Sequence, residues 1–317
     1  MKKIALNILV LTATLLLTLA VVEVALRWLM PVDYRPPASE LPNVARDIIY
    51  QKSSVPGLDY ELVPNMDTTA HGARVKINSA GMRDDEPDPA LPKIVVLGDS
   101  FSFGFQLEQD ESFPARLDAA LDTADVLNLA VAGYAMKDYV AVLKNKGLAW
   151  QPEVIIVGYV LNDPETEAIQ QIPAYFRQAD WWQYSHVLRL FAQGYKRAKM
   201  LIKGGGNYYR YLHADPTSWQ SVVTGFEQIR QMAAENDSRV IVVLFPDLWH
   251  NWDSYPYAAI HRQVAGQAAA NGFEVIDLRD AFSAYPPAEL RVSGSDAHPN
   301  ALANQIAADE ILKRLNP

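Results

Sequence analysis

Cysteine is absent from all 317 residues of this chain, which excludes disulfides, a thiol nucleophile and any cysteine-held metal. No His-Glu-x-x-His or similar ligand spacing occurs, so neither a metal nor another cofactor is expected. No glycine-rich phosphate loop follows an apolar run. Gly204-Gly205-Gly206 falls inside an aromatic stretch and reads as a flexible joint. An excess of positive charge is lacking too. With 28 Lys and Arg against 37 Asp and Glu, the formal net charge is −9, which argues against nucleic acid as a partner. Internal repeats and low-complexity tracts are missing. The remaining picture, 50% hydrophobic and 21% charged residues, is an ordinary globular composition whose length suits one large domain or two small ones.

The amino terminus departs from that composition. Lys2 and Lys3 precede Ile4 to Val22, nineteen residues without a charge, interrupted only by Asn7 and a few threonines. That is longer than the apolar core of a cleaved signal, about 7–15 residues, and long enough to cross a bilayer. There is no small-x-small cleavage site before Glu23. The expectation is an uncleaved signal anchor over residues 1–30, crossing the inner membrane through residues 4–22. The two lysines put the start in the cytoplasm and the rest in the periplasm or outside. A cleaved signal peptide is the alternative. Pro31, Pro36, Pro37 and Pro42 then mark an extended spacer. Residues 31–92 read as a linker and small lead-in, with short strands where Asp59–Val63 and Arg74–Ile77 alternate.

From Lys93 onward apolar runs alternate with helical patterns. The runs are Ile94–Leu97, Val126–Leu129, Val154–Val157, Val240–Phe245 and Glu274–Leu278. The helices are expected over Ser112–Leu121, Lys137–Trp150, Ser218–Glu235, Pro256–Asn271 and Ala301–Leu315. Such alternation predicts an α/β domain, 93–317, with a parallel sheet and helices on both faces. Residues 164–216 interrupt it with Trp181, Trp182, Tyr184, Tyr195, Tyr208, Tyr209 and Tyr211, and with a basic amphipathic stretch from His186 to Lys203. The interruption is too long for a structureless connection. It reads as a helical cap beside the site, with Trp181 and Trp182 as substrate wall. Its aromatics could instead pack a small core of their own, or its cations (Arg189, Lys196, Arg197, Lys199, Lys203) could meet the membrane surface.

Chemistry gathers at the carboxyl ends of the runs, where open α/β sheets bind ligands. Gly98-Asp99-Ser100 follows the first, leaving Ser100 near backbone N–H groups that can stabilise negative charge. Gly133 follows the second and can approach a ligand closely. Asn162, in Asn162-Asp163-Pro164, follows the third and can donate its amide. Ser295-Asp296-Ala297-His298-Pro299-Asn300 stands just before the last helix, with His298 able to accept a hydroxyl proton. Trp249 and His250 follow the fourth run as candidates for the substrate pocket. His71, His186, His213 and His261 have no acidic or nucleophilic neighbours in sequence and read as surface or packing residues.

Together these blocks resemble the SGNH, or GDSL, hydrolase superfamily. The match comprises GDS at Ser100, the glycine block at Gly133, G-x-x-x-N-D at Gly158–Asp163, and D-x-H-P-N at Asp296–Asn300. Asn78-x-x-Gly81-Met82-Arg83-Asp84 is similar to the lead-in of membrane-anchored bacterial members. The resemblance covers roughly Asn78 to Leu315 and implies a flavodoxin-like three-layer fold. It also implies Ser100 as nucleophile, His298 as general base, and an oxyanion hole from the N–H groups of Ser100 and Gly133 and the Asn162 amide. Asp296 would orient His298. The superfamily's acid usually stands three residues before the histidine, where this chain has Ser295. Either Asp296 reaches the imidazole from two residues away, or His298 leans on a backbone carbonyl as part of a dyad.

The implied reaction is hydrolysis of an acyl ester through acyl-Ser100, with an O-acylated glycan favoured because aromatic faces suit sugar rings. A carbohydrate O-acyltransferase and a catalytically silent glycan-binding module are the rivals.

Overall fold

The computed structural model describes residues 2–29, 49–166 and 184–315. Trp181, Trp182 and the proline spacer of residues 31–48 lie outside that range. The chain begins with α1 (Lys2–Leu29), 28 residues with none buried. Among the described residues it is the one helix long and apolar enough to cross a membrane. An N-terminal helix of this kind fits a membrane anchor or a signal sequence.

Two small antiparallel pairs form the lead-in: β1 (Tyr50–Lys52) with β2 (Tyr60–Leu62), and β3 (Met66–Ala70) with β4 (Ala73–Ile77). The main sheet follows as β5 (Lys93–Leu97), the short α2 (Ser100–Phe103), α3 (Phe113–Ala120), β6 (Asp125–Asn128), α4 (Met136–Asn145) and β7 (Val154–Tyr159). After α5 (His186–Gly204), α6 (Tyr208–Ala214) and α7 (Pro216–Glu235) come β8 (Arg239–Leu244), α8 (Ala258–Ala270), β9 (Glu274–Asp277) and α9 (Leu278–Phe282). A hairpin of β10 (Arg291–Ser293) and β11 (Asp296–Pro299), then α10 (Ala301–Leu315), completes the chain.

The five strands run parallel in the order β6-β5-β7-β8-β9. That is the 2-1-3-4-5 flavodoxin-like order, whose ligand crevice opens between the first and third strands. Successive side chains of a strand face opposite ways, and both faces are buried. Val95, Leu97, Ile155 and Val157 join Tyr139 of α4, Phe226 of α7 and Val264 of α8. Ile94, Val96, Ile156 and Ile241 meet Leu117 of α3 and Ile311 of α10. This is why the strands read as unbroken apolar runs.

The lead-in shares the first of these cores, with Tyr60, Leu62, Val75 and Ile77 buried in it. Tyr60 Oη donates to the Ala132 carbonyl (2.7 Å) and Tyr134 Oη to the Tyr60 carbonyl (2.8 Å). The glycine run expected as a flexible joint closes α5 with two left-handed residues, Gly205 and Gly206, and is close-packed only at Gly204. Gly205 is left-handed, its N–H capping the Met200 carbonyl. A Cβ on Gly204 would fall 2.7 Å from the Tyr211 backbone nitrogen.

His213, on α6, is buried between Tyr159 Oη (2.9 Å from Nε2) and the Tyr209 carbonyl (2.8 Å from Nδ1). Burial pushes its pKa down to about 4. Below the ordinary value near 6.5 the unfolded chain takes up a proton that the folded chain refuses. The contribution is complete above that value and is lost as pH falls toward 4, by up to about 3 kcal/mol. We expect the thermal midpoint of the wild type to fall more steeply between pH 7 and pH 4.5 than that of His213→Gln. Parallel curves in differential scanning calorimetry would show that His213 accepts its proton freely.

Candidate active site

The site is built at the end of β5. Cβ atoms added to Gly98 and Gly158, on neighbouring strands, would each fall 2.1 Å from Ser102 Oγ. The two glycines therefore make room for the first turn of α2 against the sheet. Asp99 caps that turn, accepting the Phe101 N–H at 2.8 Å, and Ser100 opens it, almost fully buried. Asp99 itself is buried, which raises its carboxyl pKa.

His298 and Asp296 arrive on β11. Residues two apart on a strand share a face, so the two-residue spacing that departs from the superfamily pattern still brings them together. Asp296 Oδ1 lies 2.5 Å from His298 Nδ1 and also accepts the His298 backbone N–H at 2.9 Å. Partial burial raises the Asp296 carboxyl, but these bonds outweigh it and hold the group below the usual carboxylate range. An ionised carboxylate only accepts, so Nδ1 carries the ring proton and Nε2 is left to accept. Ser100 Oγ stands 2.9 Å from Nε2 and is the donor. The serine, histidine and aspartate foreseen from sequence thus form one chain of hydrogen bonds.

Several contributors were not foreseen. Gln106 Nε2 donates to Asp296 Oδ2 at 2.5 Å, occupying the second carboxylate oxygen. Phe105 stacks against the His298 ring (centroids 4.6 Å apart, 32° between planes), and His71 stacks on the far side of Phe105 (4.4 Å, 34°). Gln106 and His71 both hold left-handed backbones, φ 63° and 54°, which costs a residue with a side chain about 1 kcal/mol or more. Buried Arg83 braces the loop, donating to the carbonyls of Phe103 (2.8 Å), Gly104 (2.6 Å) and Leu107 (2.5 Å). No local pattern marks Gln106, Phe105 or His71, because each acts through partners far away in sequence, and Arg83 stood out only within the Asn78–Asp84 block. His71 was read as surface or packing, and it packs the wall behind the imidazole.

Asn162 lines the cleft, and its side-chain amide hydrogen-bonds Asp99. Gly133 sits in a turn beyond β6 with φ 87° and is not among the cleft-lining residues. The backbone N–H groups of Ser100 and Gly133 donate to none of the described residues. The cleft measures about 410 Å³ and runs from Ser100 and His298 to Tyr208, Tyr209 and Trp249. Arg291 stacks over the Trp249 ring at 4.7 Å.

Of the pocket residues expected, Trp249 lines the cleft. His250 stands behind it, its Nδ1 2.5 Å from Asp247, which does line it. His186 and His261, read as lacking acidic neighbours, have them in space. His186 Nδ1 is 3.5 Å from Glu23, and His261 Nδ1 is 2.9 Å from Asp277. Neither residue is at the cleft. Among the described residues no cluster suited to a metal ion occurs.

A doubly wound parallel sheet with a serine, a histidine and an aspartate hydrogen-bonded in sequence at its carboxyl edge defines a serine-hydrolase architecture. Residues 96–306 match the GDSL-like lipase/acylhydrolase family. The chain belongs to that family and is an SGNH-type hydrolase acting on ester bonds.

No curated protein sequence matches it. Among solved structures it is similar to TesA (TM-score 0.47, 15% identity, covering 71% of this chain and 98% of that one). It is also similar to the lipase/acylhydrolase from Enterococcus faecalis (0.43, 17%, 71% and 95%). A third likeness is to a catalytic mutant of Axe2, an acetylxylan esterase from Geobacillus stearothermophilus (0.44, 15%, 71% and 94%).

Proposed function

We infer that this chain hydrolyses an acyl ester outside the cytoplasm through an acyl-Ser100 intermediate. The observation that carries the reading is the unbroken relay from Ser100 Oγ through His298 to Asp296, at 2.9 and 2.5 Å. His298 Nε2 takes the hydroxyl proton as Oγ bonds to the ester carbonyl carbon, and Asp296 stabilises the imidazolium that results. The N–H groups of Ser100 and Gly133 and the Asn162 amide receive the oxyanion. Collapse breaks the bond to the alcohol, which leaves with the proton held by His298. Water activated by the same imidazole then releases the acid and frees Ser100.

An O-acylated carbohydrate is the substrate class that the cleft favours. Trp249, Tyr208 and Tyr209 line the cleft with aromatic surface that suits a sugar, while Glu165 and Asp247 bring carboxylates to its hydroxyls. The helix α1, with Lys2 and Lys3 at its start, serves as an inner-membrane anchor that keeps the catalytic domain on the periplasmic side. A fluorophosphonate probe should label the wild type, and Ser100→Ala should lose the label. An ester panel in the same assay, sugar acetates against phospholipids, tests the substrate class. Folded wild type that fails to label would remove the nucleophile, and preference for phospholipids would remove the glycan.

A further inference from the structure

The helix α5 is fastened to the far end of α1. Glu23 stands one residue beyond the charge-free run and accepts hydrogen bonds from the first backbone groups of α5, His186 N–H at 3.0 Å and Val187 N–H at 2.9 Å. The Ser185 hydroxyl donates to the same carboxylate at 2.9 Å. Arg27 bonds both Glu23 (2.8 Å) and the Tyr184 carbonyl (2.9 Å). A bilayer's hydrocarbon needs only about 20 helical residues. The 28 residues of α1 therefore overshoot it by about two turns, and Glu23 and Arg27 fall at the boundary with water.

The face that α5 turns outward is apolar. Leu188, Phe191, Tyr195, Ala198 and Ile202 repeat at three- and four-residue steps, one stripe of a helix, and all are exposed. Phe191 is 67% exposed, Tyr195 68% and Ile202 82%, values unusual for large apolar side chains on a protein face bathed in water. The same helix carries five cations and no carboxylate, in a chain whose net charge is −9.

We propose that α5 is an interfacial helix whose Leu188–Ile202 stripe beds in the outer leaflet of the anionic bilayer that α1 crosses, beside the catalytic cleft. The proposal rests on the anchor reading of α1. Continuity through Glu23 sets the level of α5 at the headgroups, where exposed Arg197 suits an anionic surface, while Lys199 and Lys203 pair with Asp215. Because Gly204 packs against the Tyr211 backbone, α5 and α6 are fixed to one another, and Tyr208 and Tyr209 of α6 line the cleft. Bedding α5 therefore holds the mouth of the site at the membrane surface, where it meets esters displayed there.

The absence of native cysteine makes the test direct. Single cysteines replace Leu15, Phe191, Gln193 or Ile202 in the full chain, carry nitroxide labels, and are reconstituted in phosphatidylethanolamine–phosphatidylglycerol vesicles. Collision with oxygen and with a water-soluble nickel chelate reports depth. Labels at 191 and 202 should lie about 5–10 Å into the leaflet, while 193, on the opposite face, meets nickel freely. Labels at 191 and 202 as open to nickel as 193, with Leu15 in hydrocarbon, would overturn the interfacial helix and leave the anchor standing. Labels shielded from both reagents would overturn it in favour of a protein cover, either residues 167–183 or a second copy. A Leu15 label in water would instead overturn the anchor, and the proposal with it.

Discussion

His298→Ala lowers kcat for ester hydrolysis by about 10⁴- to 10⁶-fold, and Asp296→Asn by about 10³- to 10⁴-fold. The two losses differ for a reason visible at Nδ1. Alanine removes the imidazole that stands 2.9 Å from Ser100 Oγ. Asparagine keeps the shape at 296, and its Oδ1 can still accept the His298 backbone N–H. What it loses is the charge that stabilises the imidazolium, and its amide nitrogen faces the Gln106 Nε2 donor where a carboxylate oxygen stood. Steady-state kinetics on a chromogenic ester, with near-UV circular dichroism to verify folding, separates the cases. Asp296→Asn within tenfold of the wild type would reduce the relay to a dyad. Gln106→Ala, which frees Asp296 Oδ2 without touching substrate, should cost on the order of tenfold in kcat with KM unchanged.

Asn162→Ala lowers kcat by about 10²- to 10³-fold, equivalent to about 3–4 kcal/mol of transition-state stabilisation. The amide has two hydrogens, so the bond it gives to Asp99 leaves the other free for an oxyanion. Losing that bond also leaves buried Asp99 short of a donor, a stability cost of about 1–3 kcal/mol. The thermal midpoint therefore falls as well, and comparing turnover at a temperature where both proteins are folded isolates the catalytic loss. Turnover near that of the wild type would take Asn162 out of the oxyanion hole.

The five parallel strands and the helices between them were legible because burial on both faces writes each strand as an unbroken apolar run. Ser100, His298 and Asn162 stood out because each follows one of those runs or precedes the last helix. The hairpin of β10 and β11 was not. Arg291-Val292-Ser293 and Asp296-Ala297-His298-Pro299 are short and polar, with none of the apolar runs that mark the main strands. Without that strand the two-residue spacing of Asp296 and His298 looked anomalous, and on it the spacing is what a pleated backbone requires. Gln106, Phe105 and His71 were hidden for a different reason. A left-handed loop propped by Arg83 from another element has no periodicity to betray it. Gly98 carries a constraint that no local pattern reveals, the hydroxyl of Ser102 lodged between it and Gly158.

Ser100 and the imidazole that faces it are separated by 198 positions. A polypeptide emerging from a ribosome amino end first therefore displays its alcohol long before that base exists to sharpen it. Acylating power therefore waits on the strand that carries the base, and a chain halted anywhere before it holds a serine of ordinary reactivity.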